Sequence, residues 1–310
     1  MSPDDFDYRS EMRRFAEDLA SWAKARSPGF LIIPQNGQEL FTLDGEPGGP
    51  LAESYLSAVD GTGREDLYYG WSDDGKATPS EETEWLVGFL DLAEEAGVEV
   101  LVTDYVDDGY PMSPEGRMRV DDAIAKAAAR GYLSFPAPSR GLEAVPDYPG
   151  IPVGSSTDDI ENLADAANFL YLIDPGSFAS KSAYLAALAA TDYDVLIIDA
   201  YWNGTSELSA AEVAGLKSKA SGGNRLVIAY MSIGEAEDYR PYWNGEWSLH
   251  PPSWLDAENP DWPGNYKVRY WDPEWQAIIF GTDDSVLGYI VGVGFDGAYL
   301  DIIDAFEYFE

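Results

Sequence analysis

The sequence has no cysteine and a single histidine, His250. Without thiols there can be no disulfide, thiolate nucleophile or cysteine zinc site, and one histidine leaves little for a Ser–His triad or a histidine metal cluster. Cationic side chains are also scarce: 19 Lys and Arg stand against 56 Asp and Glu, a formal net charge of -37. Such a chain repels phosphate and anionic lipid, so neither nucleic acid nor a membrane surface is an expected partner. No apolar run approaches the roughly 18 residues of a membrane span. The polar stretch Met1–Ser10 shows no apolar core of a secretory leader.

What remains is ample. The 310 residues are 45% hydrophobic and include 10 Trp, 20 Tyr and 12 Phe, too many aromatics for a disordered acidic chain. The acidity has two readings: a surface that stays hydrated and screened in salt, or attraction of a cationic substrate. Its spread along the whole chain favours the first.

Eight short apolar runs without polar alternation predict strands buried on both faces, and therefore a parallel sheet. They are Phe30–Ile33, Ala58–Val59 leading into Gly61–Tyr69, Val98–Thr103, Tyr132–Phe135, Phe169–Ile173, Val195–Ile198, Leu226–Tyr230 and Gly297–Leu300. Helical patterns fall between them. Met12, Phe15, Leu19 and Trp22 share one face of a helix over 9–26. Thr78-Pro-Ser-Glu81 and Ser209-Ala-Ala-Glu212 read as capping boxes. Further helices are predicted at 121–129, 180–190 and 273–290, and Tyr239–Asp272 is read as a long functional loop.

Eight strands alternating with helices predict an α/β fold, a (β/α)8 TIM-type barrel forming one domain over 1–310. No Gly-rich phosphate fingerprint supports the open doubly wound alternative. The chain starts in a helix and stops just after its last strand. Letting the 9–26 helix serve as the crossover after that strand completes the barrel and brings both ends together.

Barrel active sites lie at the C-terminal ends of the strands. Asp199, Glu235, Asp301 and Asp304, Glu65, and Asp104 fall there, with the amides Gln35 and Asn36 and the aromatics Tyr105, Tyr201, Trp202, Tyr230 and Trp271 nearby. Crowded carboxyls raise one another's pKa, so one can hold a proton near neutral pH; an acid and an ionised partner flanking one bond is the apparatus of glycoside hydrolysis. A carboxylate site for calcium or magnesium is the chemical rival, although no calcium-loop spacing occurs. His250 reads as a loop residue. No cofactor and no metal are expected.

The blocks Ala229–Arg240, Val268–Asp272 and Gly294–Asp304 resemble glycoside hydrolase family 114, and Pro34–Gly37 and Asp60–Tyr68 look like further blocks of it. The family's characterised members are endo-α-1,4-polygalactosaminidases, and it includes proteins labelled cysteinyl-tRNA synthetase-related. The order departs from the family's: residues 1–150 resemble its C-terminal half and 151–310 its N-terminal half. This looks like a circular permutation that joins the family's ends near Pro146–Asp158 and starts the chain in the helix after its fourth strand. The resemblance implies hydrolysis of internal α-1,4 bonds in a galactosamine-containing polysaccharide. Asp301 matches the family's strand-four Asp, the nucleophile or stabilising carboxylate, and Glu65 its strand-six Glu, the general acid/base. Asp199, Glu235, Gln35, Asn36, Asp104, Tyr105, Tyr230, Trp202 and Asp304 would then bind sugar. Retention of configuration, a monomer and a secreted or cell-surface location are the accompanying expectations. A sugar-binding barrel without hydrolysis remains the non-enzymatic alternative.

Overall fold

The computed structural model describes residues 6–107 and 109–310. Eight parallel strands follow one another in chain order among the described residues: β1 (Leu31–Pro34), β2 (Gly61–Glu65), β3 (Glu99–Tyr105), β4 (Leu133–Ala137), β5 (Phe169–Leu172), β6 (Val195–Asp199), β7 (Leu226–Ser232) and β8 (Gly297–Asp301). Each coincides with one of the eight apolar runs. In β5 and β6 every residue is buried, as a sheet covered on both faces requires.

Ladders join β5–β6–β7–β8–β1 into one parallel sheet and β2–β3–β4 into another. The sheets meet at β1 and β2, where Gln35 bridges Gly63 in parallel and the Asn36 N–H donates to the Gly63 carbonyl at 2.8 Å. Across the other seam, β4 to β5, no ladder forms among the described residues. There the Phe135 and Phe169 rings sit 5.7 Å apart, and the Ile173 and Asp174 amides both donate to the Leu142 carbonyl. This mixed α/β arrangement is consistent with a TIM barrel. The space inside is tight: a Cβ on Gly63 would lie 1.8 Å from the Tyr299 hydroxyl, so only glycine fits there.

Helix α1 (Tyr8–Arg26) starts where the Asp7 side chain accepts from the Ser10 N–H, and ends with Lys24 and Arg26 in the last turn, favourable for the helix dipole. It buries Met12, Phe15, Ala16, Leu19 and Ala23, the face its sequence predicts. Its first turn lies against the other end of the chain. Tyr8 stacks on Phe309 at 5.7 Å, and Arg9 pairs with Glu310 at 2.9 Å. Trp271 belongs to this cluster, 5.2 Å from Tyr8 and 4.7 Å from Phe309, rather than to the mouth of the strands.

Several sequence expectations are corrected. The Ser209–Glu212 capping box forms, but the one at Thr78 does not: the helix is α2 (Ser80–Glu95), Pro79 is its N-cap, and the Thr78 hydroxyl donates to the Asp66 carbonyl instead. The helix predicted at 121 begins earlier, as α3 (Pro114–Ala128), because Ser113 caps it and Pro114 suits its first turn. The 273–290 helix is two, α4 (Pro273–Ile279) and α5 (Val286–Val293), separated at Gly281, whose φ of 114° no helix accommodates. Residues 239–272 are not a structureless loop. Their strands Leu255–Glu258 and Asn265–Val268 join Glu235–Glu237 in an antiparallel sheet beside the strand ends. No α-helix occupies 138–168, the connection from β4 to β5.

Candidate active site

At the C-terminal ends of the strands lies a cavity of about 520 Å³. Its wall includes Glu65 from β2, Asp199 from β6, Asp301 from β8 and Asp304 just beyond, together with Asp174, Glu235 and Glu237. Gln35, Asn36, Tyr105 and Tyr230 line it as well. The convergence of acidic side chains from distant stretches, expected from the strand ends, is therefore what the fold builds.

Glu65 is gripped from two sides. Asn36 Nδ2 donates to its Oε2 at 2.9 Å, and the Tyr105 hydroxyl donates to its Oε1. Asn36 can reach because its backbone is left-handed, at φ 64°, directly after β1. Its Oδ1 in turn accepts from the Glu65 N–H at 3.2 Å. Tyr105 is itself covered by Arg140, whose guanidinium lies 4.1 Å from the ring centroid and pairs with Asp66 at 3.0 Å.

Asp301 accepts from the Tyr230 hydroxyl at 2.6 Å and from the Ile302 N–H at 2.9 Å. Burial, then repulsion from Glu65, pushes its carboxyl up to about 8, although the Tyr230 hydrogen bond pulls the other way. Asp304 rises to about 7, by burial and by the charges of Glu307 and Glu65. Neither Glu65, Asp301 nor Asp304 has a salt-bridge partner among the described residues.

The opposite side of the cavity is charge-compensated. Arg240 is buried between Asp199, both of whose oxygens it reaches at 2.8 Å, and Glu237 at 2.6 Å. Glu235 accepts from Asn259 at 2.8 Å and pairs with Lys267 at 2.5 Å. Gln35 faces inward, its Oε1 accepting from the Tyr171 hydroxyl at 2.8 Å.

Two expected sugar-binding residues lie elsewhere. Asp104 is fully buried behind the wall, its Oδ1 accepting from the Tyr68 and Tyr69 amides, and burial raises it to about 7. Trp202 packs on Tyr184, with ring centroids 5.7 Å apart, in a short hairpin whose turn, Asn203–Gly204, lines the cavity while the indole does not. Conversely, Arg140, Tyr239 and Trp262 line the cavity without having been singled out. Arg240 had a local signal, lying three residues after Glu237, but nothing near Arg140 in sequence points to Tyr105. Among the described residues no group of three or more His, Asp or Glu is arranged to hold a metal ion.

Residues 159–309 match the model of glycoside-hydrolase family GH114. That match supports a glycoside hydrolase. The stretch supplies Asp199, Tyr230, Glu235, Asp301 and Asp304, whereas Gln35, Asn36, Glu65 and Tyr105 come from outside it. Among curated relatives, an uncharacterised protein of Methanocaldococcus jannaschii is 40% identical over 153 residues, 49% of this chain and 42% of that protein. An uncharacterised protein of Deinococcus radiodurans is 42% identical over 123 residues, 40% of this chain and 37% of its own length. The chain thus spans about two fifths of the curated relatives it matches. Among solved structures, Aspergillus fumigatus Ega3 in complex with galactosamine aligns over 50% of this chain and 47% of its own, with 22% identity and a TM-score of 0.30.

Proposed function

We propose that the protein is a glycoside hydrolase that cleaves internal α-1,4 bonds in a galactosamine-containing polysaccharide by a two-carboxylate mechanism with retention of configuration. The observation that carries this reading is the pair Glu65 and Asp301, presented to one cavity from β2 and β8 and each held by its own hydrogen-bond donors. In our reading Glu65 protonates the glycosidic oxygen as the Asp301 carboxylate bonds to the anomeric carbon. The C–O bond to the leaving sugar breaks with its electron pair on that oxygen. Glu65, now ionised, removes a proton from water, which displaces Asp301 and releases the sugar. The step needs one proton on the pair as a whole. Glu65 and Asp301 repel each other across the cavity, which favours keeping that proton.

A further element of the proposal is the circular permutation. It is supported by a family match that begins at residue 159, by a connection over 138–168 that has no α-helix, and by α1 packing where the crossover after β8 belongs. We place its action outside the cell or at the cell surface, on an amino-sugar polymer.

The deciding experiment incubates the protein with partly deacetylated α-1,4-polygalactosamine and follows new reducing ends, with the anomeric proton read by NMR at early times. Internal cleavage that releases the α-anomer first supports the proposal. Binding without new reducing ends would move the protein to the non-enzymatic sugar-binding class, and release of the β-anomer would replace retention with inversion.

A further inference from the structure

The cavity is electrostatically lopsided. At one end Glu65, Asp301 and Asp304 make no salt bridge among the described residues, and Arg64 acts on Asp304 only at longer range. At the other, three carboxylates share two cations, and all of their oxygens except Glu235 Oε2 are already engaged. Glu237 accepts from Arg240 and from the Tyr239 hydroxyl, Asp199 from Arg240 and the Tyr201 amide, and Glu235 from Asn259 and Lys267. An ammonium group arriving there would find few free acceptors.

What this end offers is different chemistry. Trp262 is 56% exposed and Tyr239 40% exposed, two large, solvent-facing rings on the cavity wall. Leaving an indole in water costs free energy unless something covers it. The Trp262 backbone is fixed: it sits in a turn closed by the Asn265 N–H donating to its carbonyl at 3.1 Å. The Asn259 side chain anchors that turn to Glu235, and the Asp238 N–H donates to Gly264 at 2.8 Å. Asn265, in the same turn, has a buried Oδ1 with no partner among the described residues. An exposed ring and an unpartnered amide oxygen, presented to the same cavity from one turn, suit a hexose face and a neutral N–H or hydroxyl donor.

We propose that the Trp262–Asn265 rim is a subsite for an uncharged, N-acetylated sugar unit, distinct from the anionic end where the free amine is expected. This rests on the glycoside-hydrolase reading and deepens it: the substrate is a polymer of mixed acetylation, read at two places by two kinds of force. The rim acts by stacking and is insensitive to salt, whereas the anionic end acts by charge and is weakened by it.

The test uses the full chain carrying Asp301→Asn, so that ligand is bound and not cleaved. Calorimetry compares a tetramer of α-1,4-linked N-acetylgalactosamine with its fully deacetylated counterpart, at about 0.1 M and about 1 M salt. The acetylated tetramer is expected to bind with little salt dependence. Adding Trp262→Ala should weaken it by about tenfold or more, adding Trp262→Phe should restore most of the loss, and Asn265→Ala should weaken it several-fold. The deacetylated tetramer should lose affinity steeply with salt and respond less to Trp262. If the acetylated tetramer does not bind, or binds equally without the indole, the rim inference is overturned while cleavage of deacetylated polymer by the wild type still stands. If wild type cleaves neither polymer, the underlying reading falls first.

Discussion

The Tyr230 hydroxyl, on β7, donates to Asp301 Oδ2 on the adjacent strand β8 at 2.6 Å. This bond stabilises the ionised carboxyl against the burial that raises it. Tyr230→Phe should therefore push Asp301 above about 8 and lower kcat by roughly tenfold, the worth of a hydrogen bond to a charge. A purely structural role for Tyr230 would leave the pH profile in place, so the profile is the measurement that decides.

The same value fixes the alkaline side of the wild-type profile. An acid–nucleophile pair needs one proton between its members, and that proton is lost as pH rises through about 8. kcat/KM should fall above that pH. In Glu65→Gln the repulsion that raises Asp301 is gone, so its titration should move to lower pH. An aryl glycoside with a good leaving group, which needs no general acid, would show it. An unmoved inflection in that variant would dissociate the two carboxyls.

Stability also falls with rising pH, but over a lower window. A carboxyl raised from 3.8 to about 8 binds more protons folded than unfolded in that window, so its contribution to stability declines as pH climbs from about 4 toward 8. Asp301→Asn removes this cost. The variant should be inactive, yet melt a few degrees (about 3–6 °C) above wild type at pH 8 and close to it at pH 4. Equal melting temperatures at both pH values would contradict the burial of charge at this position.

The ends of the chain are held mainly by rings, with a smaller share from charge. Arg9–Glu310 is a partly exposed pair, and Arg9→Met should cost less than about 1 kcal/mol. Phe309 contacts Tyr8, Tyr270 and Trp271, so Phe309→Ala should cost about 2 kcal/mol in denaturant unfolding. Because Asp301 lies only nine residues upstream of Glu310, the ring deletion should also reduce kcat more than KM changes.

With a net charge of -37, self-repulsion should dominate at low ionic strength. The melting temperature is expected to rise steeply between about 0.1 M and about 2 M KCl as the charges are screened. A flat response would leave substrate attraction as the better account of the acidity.

The strands were readable because burial on both faces writes an unbroken apolar run, as in Val195–Ile198. The meeting of the termini was readable from a missing crossover. The carboxylates could be placed because strand ends locate them. What composition could not show was which of them reach the cavity. Asp104 sits on a strand end like Asp301, yet turns away to satisfy the Tyr68 and Tyr69 amides, a tertiary bond with no local signature. Arg140 and Trp262 act through partners far away in sequence or through exposure, and neither leaves a pattern along the chain. The failed cap at Thr78 has the same origin: Asp66, twelve residues back, competes for its hydroxyl.

Tyr8 and Phe309 touch, so the first and last described turns of the polypeptide are held side by side, at a cluster separate from the cavity wall. A tag or fused protein on either side would start within a few residues of that contact and could pry it apart. Catalytic assays should therefore be compared between amino- and carboxyl-tagged versions before any loss is ascribed to a mutation.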